Sequence, residues 1–274
     1  MDITAGLEPG RLVFRRTNAR AGRTVWVTPG NSPMEHLAYG RIILDAGTPA
    51  AGWETGDRET GLICLSGSAC VTVDGESHAL GRYDAIYIPR DARVEVSTAS
   101  AADVVEVSAD VERRHPVQIV RYEEVRKDPT LVFTTGGVSD RRHLNILLGR
   151  NIEAGRIVAG VTTTDPGNWA SWPPHEHGAM LEEMYLYYDM PAPAFGVQFV
   201  YTDPSAPELV TVVHDGDAVL MPAGYHPNVA PPGHAISFLW AMAARREDED
   251  RQFGVVNVQP GFDKGGSGLE AGRR

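Results

Sequence analysis

Apolar residues come in short runs along this chain, broken at close intervals by turn-forming residues. The stretches 62-LICL-65, 69-ACVTV-73, 85-AIYI-88, 104-VVEV-107, 209-LVTVV-213 and 218-AVLM-221 are four or five residues long and rich in Val, Ile and aromatics. All but 209–213, which lies between Glu208 and His214, are bounded directly by Gly, Pro, Asp or Ser, the pattern of strands closed off by turns. Repeated short strands of this kind predict an all-β sandwich or barrel. A helical pattern is convincing only at 119-IVRYEEVRK-127, with a further turn at 140-DRRHLN-145. This middle segment reads as a connector.

A weak internal repeat sets the architecture. The decamer 84-DAIYIPRDAR-93 runs parallel to 217-DAVLMPAGYH-226: Asp84 matches Asp217, Ala85 matches Ala218, Pro89 matches Pro222, and Arg93 falls where His226 stands. Two similar β units therefore predict a tandem pair of small barrels joined by a short helical connector. The expected division is a first barrel over 1–115, a connector over 116–150, a second barrel over 151–255, and a flexible tail over 256–274 that contains 265-GGSG-268.

Composition narrows the classes of function. With 25 basic and 36 acidic side chains the formal charge is −11, so no strongly basic surface is on offer and nucleic acid is not an expected partner. No window of about 18 uninterrupted apolar residues occurs, and the start, MDITAGLEPGRLVFRR, lacks the basic and apolar regions of a secretory signal. The expectation is a cytoplasmic protein without a membrane partner. Cys64 and Cys70 are the only cysteines and read as buried thiols rather than a disulfide framework. Lys127 and Lys264 are the only lysines, which leaves Schiff-base chemistry almost no nucleophile.

The chemistry concentrates in 168-NWASWPPHEHGAMLEEMYLYY-188. His175 and His177 are two apart, and in a strand residues i and i+2 share a face, so both imidazoles can reach one ion. Pro173 and Pro174 favour the extended backbone this needs. A carboxylate follows at Glu182 or Glu183, and His226 lies 49 residues after His177, past 215-DGDAVLMPAGYHP-227. Three imidazoles and one carboxylate suit a divalent ion such as Zn, Mn or Fe, with positions left for substrate. The remaining histidines, His36, His78, His115, His143, His214 and His234, lack ligand spacing.

An H-x-H, an acidic residue opening an aromatic strand, and a G-x5-P-x-G-x-H segment about 40 residues later resemble the two-part signature of the cupin barrel. One departure stands out, since Pro222 to His226 is one residue shorter than the usual P-x-G-x-x-H. That spacing, together with 173-PPHEH-177, 182-EEMYLYY-188, 196-GVQFVYTD-203 and 222-PAGYHP-227, resembles the 5-deoxyglucuronate isomerase family of inositol catabolism. In the first half 56-GDRE-59, 65-LSGSACVTV-73 and 86-IYIP-89 are similar too. The likeness extends more distantly to the 5-keto-4-deoxyuronate isomerases. The tail FDKGGSGLEAGRR departs from the family's aromatic, His-containing ending.

The resemblance implies a bicupin and one divalent metal, zinc first and Mn or Fe as alternatives. It also implies conversion of 5-deoxy-D-glucuronate to 2-deoxy-5-keto-D-gluconate through an enediolate. Counted from His177, Glu182 has the more usual cupin gap; registered as 183-EMYLYYDM-190 on the acidic-aromatic strand of the uronate isomerases, Glu183 is the ligand. The assignment carried forward is His175, His177, Glu183 and His226, with the other glutamate a surface or interface carboxylate. Tyr185 and Gln198 are candidate catalytic residues: Tyr185 shares a strand face with Glu183 and Tyr187, and Gln198, Tyr201 and Asp203 match the family's Q-x-x-Y-T-D stretch. The first barrel has no histidine between His36 and His78, so it is expected to lack the metal and serve structure, dimerisation in a homo-oligomer, or closure of the pocket. Competing readings are an isomerase of another uronate, a cupin oxygenase and a non-catalytic sugar-binding cupin.

Overall fold

The computed structural model describes residues 9–262, 268 and 269. Two β-barrels follow one another, each a larger sheet curled against a smaller one, and every strand pair is antiparallel. The expected all-β tandem-barrel fold is therefore found. In the first barrel the larger sheet runs Gln118–Val120, Ala85–Ile88, Arg58–Gly67, Ala102–Asp110, Ala38–Leu44, Gly22–Val27 from edge to edge. It faces Ala50–Glu54, Arg93–Ser97, Ala69–Val73 and Glu76–Leu80. In the second barrel the order is Val13–Phe14, Ala218–Met221, Leu181–Tyr187, Ser237–Ala244, Ile157–Thr164, Arg142–Leu148, Val132–Thr135. The smaller sheet opposite holds Trp169–Ala170, Asn228–Val229, Gly196–Val200 and Leu209–Val213.

The strand register extends the decamer repeat across both large sheets. Thr60 lies opposite Ile88 and Ser108, and Glu183 lies opposite Met221 and Met242. Ile88 and Met221 each precede the proline that the repeat aligns, so Thr60 corresponds to Glu183 and Glu59 to Glu182.

Alternation along each central strand divides its side chains between two cores. In Arg58–Gly67, Leu62 and Cys64 fill the first barrel, while Ile63 and Leu65 join the larger core that runs on into the second. Each such fully buried Leu or Ile contributes about 1.5–3 kcal/mol. The two large sheets come so close that a Cβ on Gly61 would lie 2.4 Å from Leu148 Cδ1. A larger residue there would have to displace the Leu148, Ile157 and Val107 side chains.

Residues 116–150 contain little helix. Gln118–Val120 pairs with Ala85–Tyr87 at the edge of the first barrel, only Tyr122–Val125 is helical, and Val132–Thr135 and Arg142–Leu148 belong to the second barrel's sheet. Ile119 and Val120 favour the extended chain, and Asp84 ends that strand by accepting from the Tyr122 N–H and the Arg121 guanidinium. The turn expected at 140–145 is mostly strand because Arg142, Leu144 and Ile146 alternate inward. At the other end, Val13–Phe14 pairs with Ala218–Val219, so the first described strand belongs to the second barrel's sheet and not to the first barrel. Within the expected tail, Asn257–Val258 forms a ribbon with His175–Glu176. Lys264 and most of 265-GGSG-268 lie outside the described residues.

Cys64 is buried and Cys70 partly so, and both are free thiols. Burial pushes the Cys64 thiol up to about 11. Among the described residues no helix is long and apolar enough to cross a membrane.

Candidate metal centre

Two separate pieces of chain bring three histidines together at the mouth of the second barrel. His175 stands in the short ribbon with Asn257–Val258, His177 follows it before a turn, and His226 sits in the loop between Ala218–Met221 and Asn228–Val229. Their ligand atoms all lie within 4.8 Å of one another, and all three rings are buried. No other histidine joins such a group among the described residues.

The backbone sets the ring orientations. His175 Nδ1 lies 2.9 Å from the Pro173 carbonyl and His226 Nδ1 2.9 Å from the Gly224 carbonyl. In each ring this leaves Nε2 to face the cluster, the arrangement in which an outer hydrogen bond fixes the tautomer of a metal-binding imidazole. Gly224 has φ +90° and sits 2.8 Å (from its would-be Cβ) from the Tyr201 carbonyl, so the tight turn that aims His226 needs glycine there.

Glu183 supplies the charge. Its Oε2 is 2.9 Å from His177 Nε2 and 3.0 Å from His226 Nε2. Burial alone would raise its pKa, but His226 and His177 outweigh that and hold it at about 2. Burial would likewise lower His226, yet the Glu183 charge and hydrogen bond hold it above its usual value. His175 goes the other way: burial, then the neighbouring His226 and His177, keep it well below 6.5 and therefore neutral. A neutral imidazole, an ionised carboxylate and a buried ring nitrogen without a hydrogen-bond partner at His177 Nδ1 are what a cation site requires.

Glu182 takes no part in this cluster. It points to the opposite face of the strand, where its two oxygens accept the backbone N–H groups of Glu35, His36 and Leu37 at 2.7, 2.8 and 2.5 Å. It is thus fully buried at the junction of the two barrels.

The cavity beside the histidines is lined by Arg142, Ser171, Glu183, Tyr185, Trp240 and Leu269 among others, and water can reach about 40 Å3 of it. Tyr185 is inside, its hydroxyl 2.6 Å from Ser171 Oγ. Burial, reinforced by Glu183, raises the Tyr185 pKa well above 10, so the phenol stays protonated. Gln198, by contrast, does not line this cavity. Its Oε1 accepts from Tyr187 Oη at 2.5 Å and its Nε2 donates to the carbonyls of Phe199 and His226 at 2.7 and 2.9 Å. Both polar atoms of Gln198 are thus engaged within the protein, one of their bonds reaching the His226 carbonyl, and the side chain is not among those lining the cavity. Asn228 completes that network by donating to Tyr187 Oη.

Tyr201 donates to Gln259 and pairs with Tyr225 across a β-bridge, which ties the end of the chain to the site. Asp203 is confined to a turn, where it accepts from Ser205 N–H and Oγ. Arg142 is the residue that sequence reasoning missed. It is 2% exposed and lines the cavity, with Nη1 donating to the Asp140 carbonyl and Nη2 to that of Trp172. The period-two alternation of 142-RHLNILL-148 was the signal that could have placed it.

The sequence model of the KduI/IolB family matches residues 12–256. A 5-deoxy-glucuronate isomerase from Geobacillus kaustophilus (strain HTA426) is 30% identical over 239 residues, covering 81% of this chain and 84% of the relative. The enzyme of the same name from Bacillus subtilis (strain 168) is 28% identical over 236 residues, covering 79% and 84%. Among solved structures, an IolB-like protein from Salmonella typhimurium LT2 superposes with a TM-score of 0.80 at 23% identity, covering 92% of this chain and 98% of that one. A mutant of the oxalate decarboxylase of Bacillus subtilis superposes with a TM-score of 0.60 at 15% identity, covering 84% and 76%, which speaks to fold alone.

Proposed function

The chain belongs to the KduI/IolB family, and on that premise we propose that it is an aldose–ketose isomerase that converts 5-deoxy-D-glucuronate to 2-deoxy-5-keto-D-gluconate. The observation that carries the reading is the buried trio His175, His177 and His226 closed by Glu183. These four residues would hold one divalent ion, zinc by the balance of three imidazoles and one carboxylate, with Mn or Fe the alternatives. When bound, such an ion supplies Lewis-acid polarisation of a carbonyl and its neighbouring hydroxyl.

The chain's own residues do the rest. Arg142 is the one arginine among the described residues lining the cavity, and its planar fork suits the carboxylate at the far end of a sugar acid. Tyr185, kept protonated by burial, donates to an oxygen on which negative charge develops. Isomerisation then moves one proton from the hydroxyl-bearing carbon to the former carbonyl carbon and one between the two oxygens. No electrons leave the substrate and no organic cofactor is called for.

The substrate is tested by supplying metal-loaded protein with 5-deoxy-D-glucuronate and, separately, with a 5-keto-4-deoxyuronate, and separating the products. Turnover of the first alone supports the reading; turnover of the second alone reassigns the substrate.

A further inference from the structure

The first barrel also opens on a cavity, at the place that corresponds to the metal centre of the second. It measures about 200 Å3 and is lined by Arg23, Trp53, Arg58, Thr60, Glu106 and Ser108, among others. The strand register puts Thr60 where the second barrel has Glu183, Ser108 where it has Met242, and Glu106 where it has Trp240. The match extends to the glycine beneath each side chain: a Cβ on Gly40 would come within 2.9 Å of Glu106 Oε2, and one on Gly160 within 2.3 Å of Trp240. Arg93, at the place of His226, is exposed. The mouth of the barrel has kept its space and exchanged metal ligands for guanidinium and hydroxyl groups.

One of the two guanidiniums in this cavity has a contact carboxylate and the other has none. Arg23 and Glu106 form a two-point pair at 2.6 and 2.8 Å, with the guanidinium 4.3 Å over the Trp53 ring. Arg58, partly buried, donates Nη2 to the carbonyls of His36 and Ser108 and Nε to Ser108 Oγ. Its Nη1 has no hydrogen bond and no carboxylate lies within 4.0 Å of it among the described residues. The acidic groups that act on Arg58 from further away are Asp110, Asp57, Glu106 and Glu182. Three of them have nearer partners: Asp110 holds His36, Glu106 holds Arg23, and Glu182 holds three backbone N–H groups. Asp57 is exposed. Partial burial holds the Arg58 pKa below its usual value, and a bound anion would relieve a guanidinium that has lost part of its hydration.

We propose that the first barrel is a second, metal-independent ligand site for a small hydroxy monocarboxylate. The carboxylate sits on Arg58, and the hydroxyls meet Glu106, Thr60 and Ser108. Arg23 is paired with Glu106 and the exposed Glu54 also lines the cavity, so Arg58 is the guanidinium left for the ligand's carboxylate. The volume, roughly seven times the ~30 Å3 share of a water molecule, fits an acid of a few carbons and excludes a polymer.

The test is calorimetric titration of D-glycerate into the full-length protein, metal-loaded and chelator-treated, with glycerol as the uncharged control. The expected result is saturable 1:1 binding of glycerate in both preparations and none of glycerol. Arg58→Gln should weaken binding at least ~tenfold. Because Arg58 also ties down two carbonyls, Thr60→Leu, which fills the cavity and leaves the guanidinium in place, is the second variant and should weaken binding to the same extent. Glycerate binding only when metal is present, binding unchanged in Thr60→Leu, or no binding above the glycerol control would each overturn the proposal.

Discussion

Glu59 and Glu182 tie the two barrels together reciprocally. Each is buried on the outward face of its barrel's central strand, and each accepts three consecutive backbone N–H groups from the other barrel. Glu182 takes those of Glu35, His36 and Leu37; Glu59 takes those of Gly155, Arg156 and Ile157, and the Tyr87 hydroxyl as well. Both triplets lead into equivalent strands, Ala38–Leu44 and Ile157–Thr164. The repeat is therefore a repeat of packing as well as of sequence, and adjacent glutamates at 182 and 183 serve different ends because a strand turns them to opposite faces.

That division of labour predicts different phenotypes for neighbouring substitutions. Glu182→Ala should lower stability by about 3–5 kcal/mol, since it strands three buried N–H groups, while leaving metal stoichiometry at one per chain in the fraction that folds. Glu183→Gln should lower the metal-free melting transition as well, because it removes the charge that pairs with His177 and His226, but unlike Glu182→Ala it should abolish stoichiometric metal. Denaturant melts paired with elemental analysis decide it; metal retained in Glu183→Gln and lost in Glu182→Ala would invert the assignment.

Metal uptake should be coupled to protons. In the metal-free protein the His226 pKa is raised above 6.5 and that of Glu183 lowered to about 2. The His226 contribution to stability is full below 6.5 and fades as pH rises through the raised value. The Glu183 contribution is full above 4.5 and fades as pH falls toward 2, so the pair stabilises the metal-free fold most between about pH 4.5 and 6.5. A metal ion must displace the His226 proton, so its affinity should fall up to ~tenfold per pH unit below that pKa. Calorimetry in buffers of different ionisation heat should register about one proton released per ion at pH 6 and progressively less as pH rises; a pH-independent affinity would contradict the coupling.

Gln198→Leu should act on the metal without touching it. The substitution orphans the His226 carbonyl and the Tyr187 hydroxyl at the back of the site. The expected losses are about 2–3 kcal/mol of stability and ~10–100-fold in metal affinity. With saturating metal, most of kcat should return. A kcat that stays low at full occupancy would mean that Gln198 meets the substrate after all.

The barrels, the repeat and the histidine trio were legible in the chain because each rests on local signals. Short Val- and Ile-rich runs ended by Gly, Pro and Asp gave strands such as 85–88 and 218–221, and H-x-H spacing put His175 and His177 together. Three features were not legible. The helix expected over 119–127 shrinks to four residues because edge pairing with Ala85–Tyr87 claims Ile119 and Val120, a tertiary gain that outweighs weak helical preference. The N-terminal strand Val13–Phe14 serves the distant barrel, which no local pattern encodes. Gln198 matches a motif by sequence, but only hydrogen bonds reveal that its amide faces the backbone.

Arg142→Met should raise KM for the sugar acid at least ~tenfold with a smaller effect on kcat, the sign of lost uniform binding. Steady-state kinetics against the substrate and its C6 primary-alcohol analogue checks this. Wild type should prefer the acid and the variant should not; an undiminished preference would move the carboxylate elsewhere.

The most direct test of the central claim is a proton NMR time course with 5-deoxy-D-glucuronate in heavy water, comparing metal-supplemented and chelator-treated protein. The account predicts that aldehyde and hydrate signals decay into those of 2-deoxy-5-keto-D-gluconate only in the metal-supplemented sample. Folded, metal-loaded protein that leaves the aldehyde spectrum unchanged, or equal conversion after chelation, would contradict it.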